Sequence, residues 1–188
     1  MPTATAPMTT AEYLALPPDD RVDRLLIAGE LREYPMPERN RFHSRAMTRV
    51  AKFLDNWLDG QPEPRGQILT GDAGVRLGAD PDTAFGVDVT YISAEVMAAQ
   101  TEDWTTVVGV PVLAVEIVSP GEVRQRGDDK IDAYLAAGVR QVWVLDPHRR
   151  TATVYRPGVE PELFNARQEL AGGADLPGFR VAVASLFG

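Results

Sequence analysis

With 188 residues, no cysteine, two histidines and a net charge of −8, the chain excludes several protein classes at once. Disulfides, thiol nucleophiles, cysteine-type zinc sites and His-rich metal clusters are ruled out, which leaves carboxylates and hence hard cations such as Mg²⁺ or Mn²⁺. A hydrophobic share of 44% and a charged share of 24% are those of one ordinary globular domain, and the acidic balance opposes non-specific coating of nucleic acid.

The first eight residues read as a flexible tail, with a single domain over 9–188. They lack the basic and apolar regions of a signal peptide. No segment approaches the ~20 apolar residues of a membrane span, so a cytoplasmic location is expected. Thr9 to Glu12 has the spacing of a capping box, opening a short helix through Leu16 that Pro17-Pro18 stops. Residues 24–34 read as a hairpin turning at Ala28-Gly29, with Glu30 and Glu33 as exposed strand acids.

The strongest helical pattern follows, with Phe42, Ala46, Val50, Phe53, Leu54, Trp57 and Leu58 on its apolar face and Gly60 ending it. His43, next to Phe42, reads as a surface or packing histidine before a site residue. Residues 67–77 and 85–92 are expected strands, and Ser93 caps a short helix. An apolar strand over 110–119 precedes a helix over 128–137, closed by Gly138. Strands over 141–145, 151–156 and 179–183 complete an α/β domain with a mixed sheet, in which 112–145 forms a crossover between parallel strands. Trp57 and Trp143 read as core or interface aromatics, and 148–150 as a polar turn.

Within this frame Glu116 stands out. It is the one charged residue in VPVLAVEIVS, and its same-face neighbours Val112, Ala114 and Val118 offer no polar relief. An isolated buried carboxylate costs several kcal/mol unless a metal or a cation compensates it, an ion pair with an arginine being the bland alternative. Alternation in residues 86–93 places Asp88 and Thr90 opposite Val87, Val89 and Tyr91. Asp88 is thus an acid embedded in a strand, the alternative being an edge carboxylate facing water.

Lys130 falls in the first turn of the helix expected at 128, where a cation opposes the macrodipole. A surface pair with Asp128 or Asp129 explains it equally, but its spacing to Tyr134 lets it point towards the sheet. Two acids and a lysine suit metal-assisted phosphodiester hydrolysis better than acyl transfer. Arg124 and Arg126 precede the lysine, either as phosphate contacts or as solvated loop charge.

The segments VLAVEIVSP (112–120), Asp129-Lys130, YLAAGV (134–139), VWVLDP (142–147) and TVYRP (153–157) resemble one bacterial family. It is the restriction-endonuclease-like family, long labelled a domain of unknown function, within the PD-(D/E)XK nuclease superfamily. The resemblance runs from about Leu25 to the end, including Gly29-Glu30, His43, residues 74–77 and 176–179, and its centre is 116–147. It implies a mixed sheet flanked by helices and a Mg²⁺- or Mn²⁺-dependent endonuclease acting on DNA rather than RNA. It further implies metal ligation by Asp88, Glu116 and the Ile117 carbonyl, with Lys130 replacing the lysine usual at Val118. Val87 stands where the family motif has proline, while the literal Pro81-Asp82 lies in a turn as a decoy.

A homodimer would bring basic loops together around a duplex and so ease the acidic charge. A nuclease-fold binding or regulatory module is the competing expectation, and a phosphohydrolase of small nucleotides is a third.

Overall fold

The computed structural model describes residues 6–38, 40–101 and 105–188; most of the tail expected at 1–8 lies outside them. Helix α1 (Thr10–Leu14) opens on the expected capping box, with Thr9 accepting from the Glu12 N–H and Glu12 returning to Thr9. It stops two residues short of Leu16. Before it, the Met8 N–H donates to the Gly29 carbonyl, fastening the chain to the first hairpin. That hairpin pairs β1 (Val22–Ile27) with β2 (Glu30–Pro35). Ala28 and Gly29 both have positive φ, as a two-residue turn matched to strand twist requires.

Helix α2 (Arg41–Asp59) is capped by Asn40, whose side chain accepts from the Phe42 and His43 N–H groups. Its buried stripe is His43, Ala46, Val50, Leu54 and Leu58. Phe42, expected in that stripe, is 45% exposed. The stripe follows the i, i+3, i+7 rows, and His43 holds the position that an apolar residue would otherwise fill.

Strands β3 (Gln67–Gly78) and β4 (Thr83–Ile92) form a long antiparallel ribbon, followed by α3 (Ala94–Ala98) and the two-residue β5 (Val107–Val108). Strand β6 (Leu113–Ile117) is buried at every residue. Helix α4 (Arg124–Ala137) then crosses to β7 (Gln141–Asp146), which lies parallel to β6. Strands β8 (Thr151–Arg156) and β9 (Val159–Asn165) extend the sheet to an edge. A small pair, β10 (Glu169–Ala171) with β11 (Arg180–Ala182), and a 3₁₀ turn at Val183–Leu186 end the chain. Among the described residues, nine strands form one mixed sheet in the order β2-β1-β4-β6-β7-β8-β9, with β3 on β4 and β5 on β3.

Helix α2 and the C-terminal segment cover one face, packing Ala46, Val50, Leu54, Phe179 and Leu186 on Val89, Val115, Trp143 and Leu145. Helix α4 covers the other, where Tyr134 and Val139 meet Phe85, Val87, Ala114 and Val142. The expected alternation of β4 therefore changes side at Asp88: Val87 packs with α4's cluster, whereas Val89 and Tyr91 pack with α2's. A bulge in β3 between Thr70 and Ala73 lies across from this point.

Helix α4 begins four residues before the expected Asp128. Val123 makes no side-chain cap and Gly127 sits in the first turn, so the usual start signals are missing. Lys130 is consequently in the second turn, and the macrodipole argument does not apply to it. The exposed edge strand β9 carries no strand signal in the sequence, because Glu160, Pro161 and Glu162 erase its apolar pattern, as solvent-facing edges permit.

Candidate active site

Strands β4 and β6 pair antiparallel with Val89 opposite Val115 and Thr90 opposite Ala114, so Asp88 and Glu116 follow next in register. The Ile117 N–H donates to Asp88 Oδ2 at 2.7 Å, drawing that carboxylate onto β6. From α4, Lys130 Nζ donates to Glu116 Oε2 at 2.7 Å and the Tyr134 hydroxyl donates to Oε1 at 2.6 Å. The i, i+4 spacing of these two donors puts both on the helix face turned to the sheet. Asp88, Glu116 and Lys130 are 5%, 8% and 1% exposed. The Lys130 ammonium also lies 5.5 Å from the centroid of the Phe85 ring.

His43 is the participant that sequence reasoning set aside. It is buried, and its Nε2 lies 3.3 Å from Asp88 Oδ2. Its Nδ1 is buried without a hydrogen-bond partner. The usable signal was its spacing: three, seven and eleven residues before Ala46, Val50 and Leu54, it falls on the inward stripe of α2.

Arg126 was expected either to grip phosphate or to be solvated; it does neither. It is buried in α4 and paired with Asp23 of β1 and, at 2.5 Å, with Glu122. Asp129 is buried as well, held by Tyr34, by Arg32 at 2.7 Å and by Gln125 at 2.8 Å. The β1–β2 hairpin thereby clamps α4 and sets the height of Lys130 above the sheet. Glu33 pairs with Arg24 and Glu30 with Arg32, both as exposed hairpin acids. The turn residue Asp82 accepts from the Thr10 N–H and hydroxyl and from Arg76, a structural role that agrees with its reading as a decoy.

Electrostatics separate the two carboxylates. Burial pushes Glu116 above its ordinary value, with the Asp88 charge adding to this and Lys130 and Arg126 opposing it. Burial acts on Asp88 in the same sense. There, however, the His43 hydrogen bond, the Lys130 charge and the Ile117 N–H prevail and hold the group below its ordinary value. The Tyr134 hydroxyl is pushed far up by burial and by Glu116, so it remains a donor. One acid that stays ionised beside one that holds a proton more readily is a common arrangement at reaction centres.

A cleft of about 560 Å³ opens beside Glu116, bordered by Ile117, Val118 and Ile131. Among the described residues no group of three or more His, Cys, Asp or Glu side chains is arranged to hold a metal. The available set is the carboxylate pair Asp88 and Glu116. Its chemistry fits Mg²⁺ or Mn²⁺, since a Mg²⁺ ion that keeps several waters needs only about one or two carboxylates.

A mixed sheet with helices on both faces, carrying two facing acids and a buried lysine, defines a nuclease-fold protein. The chain belongs to the Uma2 family, described as "Putative restriction endonuclease", which it matches over residues 10–184. Membership in that family supports a nuclease function. The fold is similar to the crystal structure of "a putative nuclease belonging to DUF820" from Anabaena variabilis ATCC 29413. The TM-score is 0.76 at 21% sequence identity, covering 96% of this chain and 98% of that one. No curated protein matches the chain.

Proposed function

We propose that this chain is a Mg²⁺- or Mn²⁺-dependent endonuclease that hydrolyses phosphodiester bonds of DNA. The observation that carries the reading is the buried Lys130–Glu116 contact beside Asp88, at the edge of an open cleft. A divalent ion, when bound by Asp88, Glu116 and the Ile117 carbonyl, would polarise a phosphoryl oxygen and acidify a bound water. Asp88, kept ionised by His43 and Ile117, supplies permanent negative charge for that ion. Tyr134 holds one Glu116 oxygen and thereby fixes the carboxylate's orientation. Lys130 places a positive charge where it can orient the attacking water and neutralise charge developing on the phosphate. Family membership favours DNA over RNA.

A second reading, a nuclease-fold binding module, draws on the fact that both Glu116 oxygens are already taken by Lys130 and Tyr134. Calorimetric titration with Mn²⁺ separates the two. Binding to wild type that weakens in Glu116→Gln supports the enzyme; no binding to either supports the module. Nicking of supercoiled plasmid in Mg²⁺ or Mn²⁺ supplies the activity arm, and equal cleavage by wild type and Lys130→Ala would overturn the assigned mechanism.

A further inference from the structure

The cleft beside Glu116 is larger and more apolar than coordination of an ion and a phosphate requires. It runs from Glu116 past Val118, Ile131, Val144 and Tyr155 to His148, a length of largely apolar wall. At the His148 end stands an aromatic pair. The Phe42 and His148 ring centroids are 5.7 Å apart, and the Arg41 guanidinium carbon is 4.6 Å from the Phe42 centroid. Both rings are exposed, and Phe42 sits at the head of α2 next to His43, which contacts Asp88. Glu116 and His148 line the same cleft, and Phe42 adjoins it through the His148 ring.

Charge of both signs lines this cleft. Arg124 and Arg149 line the cleft, and among the described residues the guanidinium of each meets one carboxylate, Asp128 at 3.4 Å and Asp146 at 3.8 Å. Such pairs hold side chains weakly, so both guanidiniums can turn to phosphate. Of the lining acids Asp128 is exposed and pairs with Arg124, whereas Glu122 and Asp146 are held by protein donors. Glu122 accepts from the Ser119 N–H and Arg126, and Asp146 accepts from the His148 and Arg149 N–H groups. Within a protein of net charge −8, Arg124 and Arg149 are thus the two cleft-lining groups that can meet a phosphate.

We propose that this cleft and the Phe42–His148 platform bind an unpaired nucleotide, making single-stranded or locally unpaired nucleic acid the substrate class. The inference rests on the nuclease reading and narrows it. A paired duplex offers phosphates and base edges, since its base faces are covered by stacking. Apolar walls and an exposed ring gain nothing from those groups. An unpaired base has a free π face that stacks on an aromatic side chain, and an extruded base can enter an apolar pocket beside the reacting groups.

The test is fluorescence anisotropy with a fluorescein-labelled single strand of about 12 nucleotides and the matching blunt duplex. Binding is read in the Glu116→Gln protein with Mg²⁺, with and without Phe42→Ala or Phe42→Tyr. The expected result is tighter binding of the single strand, weakened about tenfold by Phe42→Ala, restored by Phe42→Tyr and unchanged for the duplex. Equal binding of the two probes, or a single-strand affinity indifferent to Phe42→Ala, overturns the inference. Wild-type cleavage of the same two probes is measured in parallel. Failure to cut either, with the single-strand preference intact, would sink the hydrolase reading and leave the binding site standing. Equal cutting of both, indifferent to Phe42→Ala, would sink the binding site and leave the hydrolase.

Discussion

Lys130 reaches from α4 to Glu116 in β6, placing its Nζ 2.7 Å from Oε2 with both side chains buried. The pair joins the helix layer to the sheet at the point where the proposed chemistry occurs. Three consequences of this arrangement and its supports, and one of a distant carboxylate, can be measured.

Lys130→Met keeps the aliphatic stem and removes the charge. Cleavage in Mg²⁺ or Mn²⁺ should fall by about a hundredfold or more, as for loss of one strong electrostatic contact to a transition state. Removing one partner of a buried pair costs ~3–5 kcal/mol when the other must stay charged. Burial already favours the protonated form of Glu116, so the variant can escape part of that cost by binding a proton. A raised folded-state pKa means stability is retained below the ordinary value near 4.5 and lost as pH rises through the folded value. Urea unfolding should therefore show a larger deficit at pH 8 than at pH 5; a pH-independent deficit would contradict the assignment.

Tyr134→Phe deletes one hydrogen bond to the ionised Glu116 and leaves the ring in place. The loss should be about 1–2 kcal/mol of stability. Since the hydroxyl donates to the charged carboxylate, its removal disfavours ionisation and moves the Glu116 pKa further up. The acid limb of the pH–rate profile should shift to higher pH while the alkaline limb stays. An unmoved acid limb would mean that Glu116 does not act in its ionised form.

Asp82 governs acid tolerance far from the site. Burial opposes its ionisation, but Arg76 and the Thr10 N–H and hydroxyl prevail and bring its pKa down to about 2. A lowered value contributes stability above the ordinary 3.8, lost as pH falls towards 2. Asp82→Asn should cost on the order of 1–2 kcal/mol at pH 6, and the gap to wild type should close by pH 2. Thermal melts across that range decide it.

Arg126→Ala leaves Asp23 and Glu122 without their shared cation and frees α4 from the first hairpin. The expected cost is ~3–5 kcal/mol in urea unfolding. Arg126→Met, which fills the space but lacks charge, should cost nearly as much while Asp23 stays acidic. Adding Asp23→Asn to Arg126→Met should recover part of it, and full additivity would refute the coupling.

The meeting of Glu116 and Lys130 was legible in the sequence because Glu116 breaks an apolar run and Lys130 is spaced from Tyr134 by one helical turn. Both are local patterns. His43 and Arg126 were not legible for the same reason. A lone histidine on a helix and an arginine before a lysine carry no local anomaly, and their burial depends on Asp88 and Asp23, distant in the chain. The start of α4 was misplaced because its first turn lacks a capping side chain and contains Gly127. Strand β9 was passed over because an edge exposed to solvent needs no hydrophobic period.

The sequence by itself determined the α/β order, the parallel crossover from β6 to β7 and the family, and it singled out Asp88, Glu116 and Lys130 as candidates. The family follows from the resemblance of short motifs, and the rest from periodicity, turn residues or an out-of-place charge, all properties of neighbouring residues. Only the tertiary structure decided that His43 and the Ile117 N–H hold Asp88, that Arg126 is a buried strut, and that Phe42 faces solvent beside His148. Those facts depend on strand register and on how two helices dock against opposite faces of one sheet. They are sums of many weak contacts between distant segments, which no short window of sequence contains.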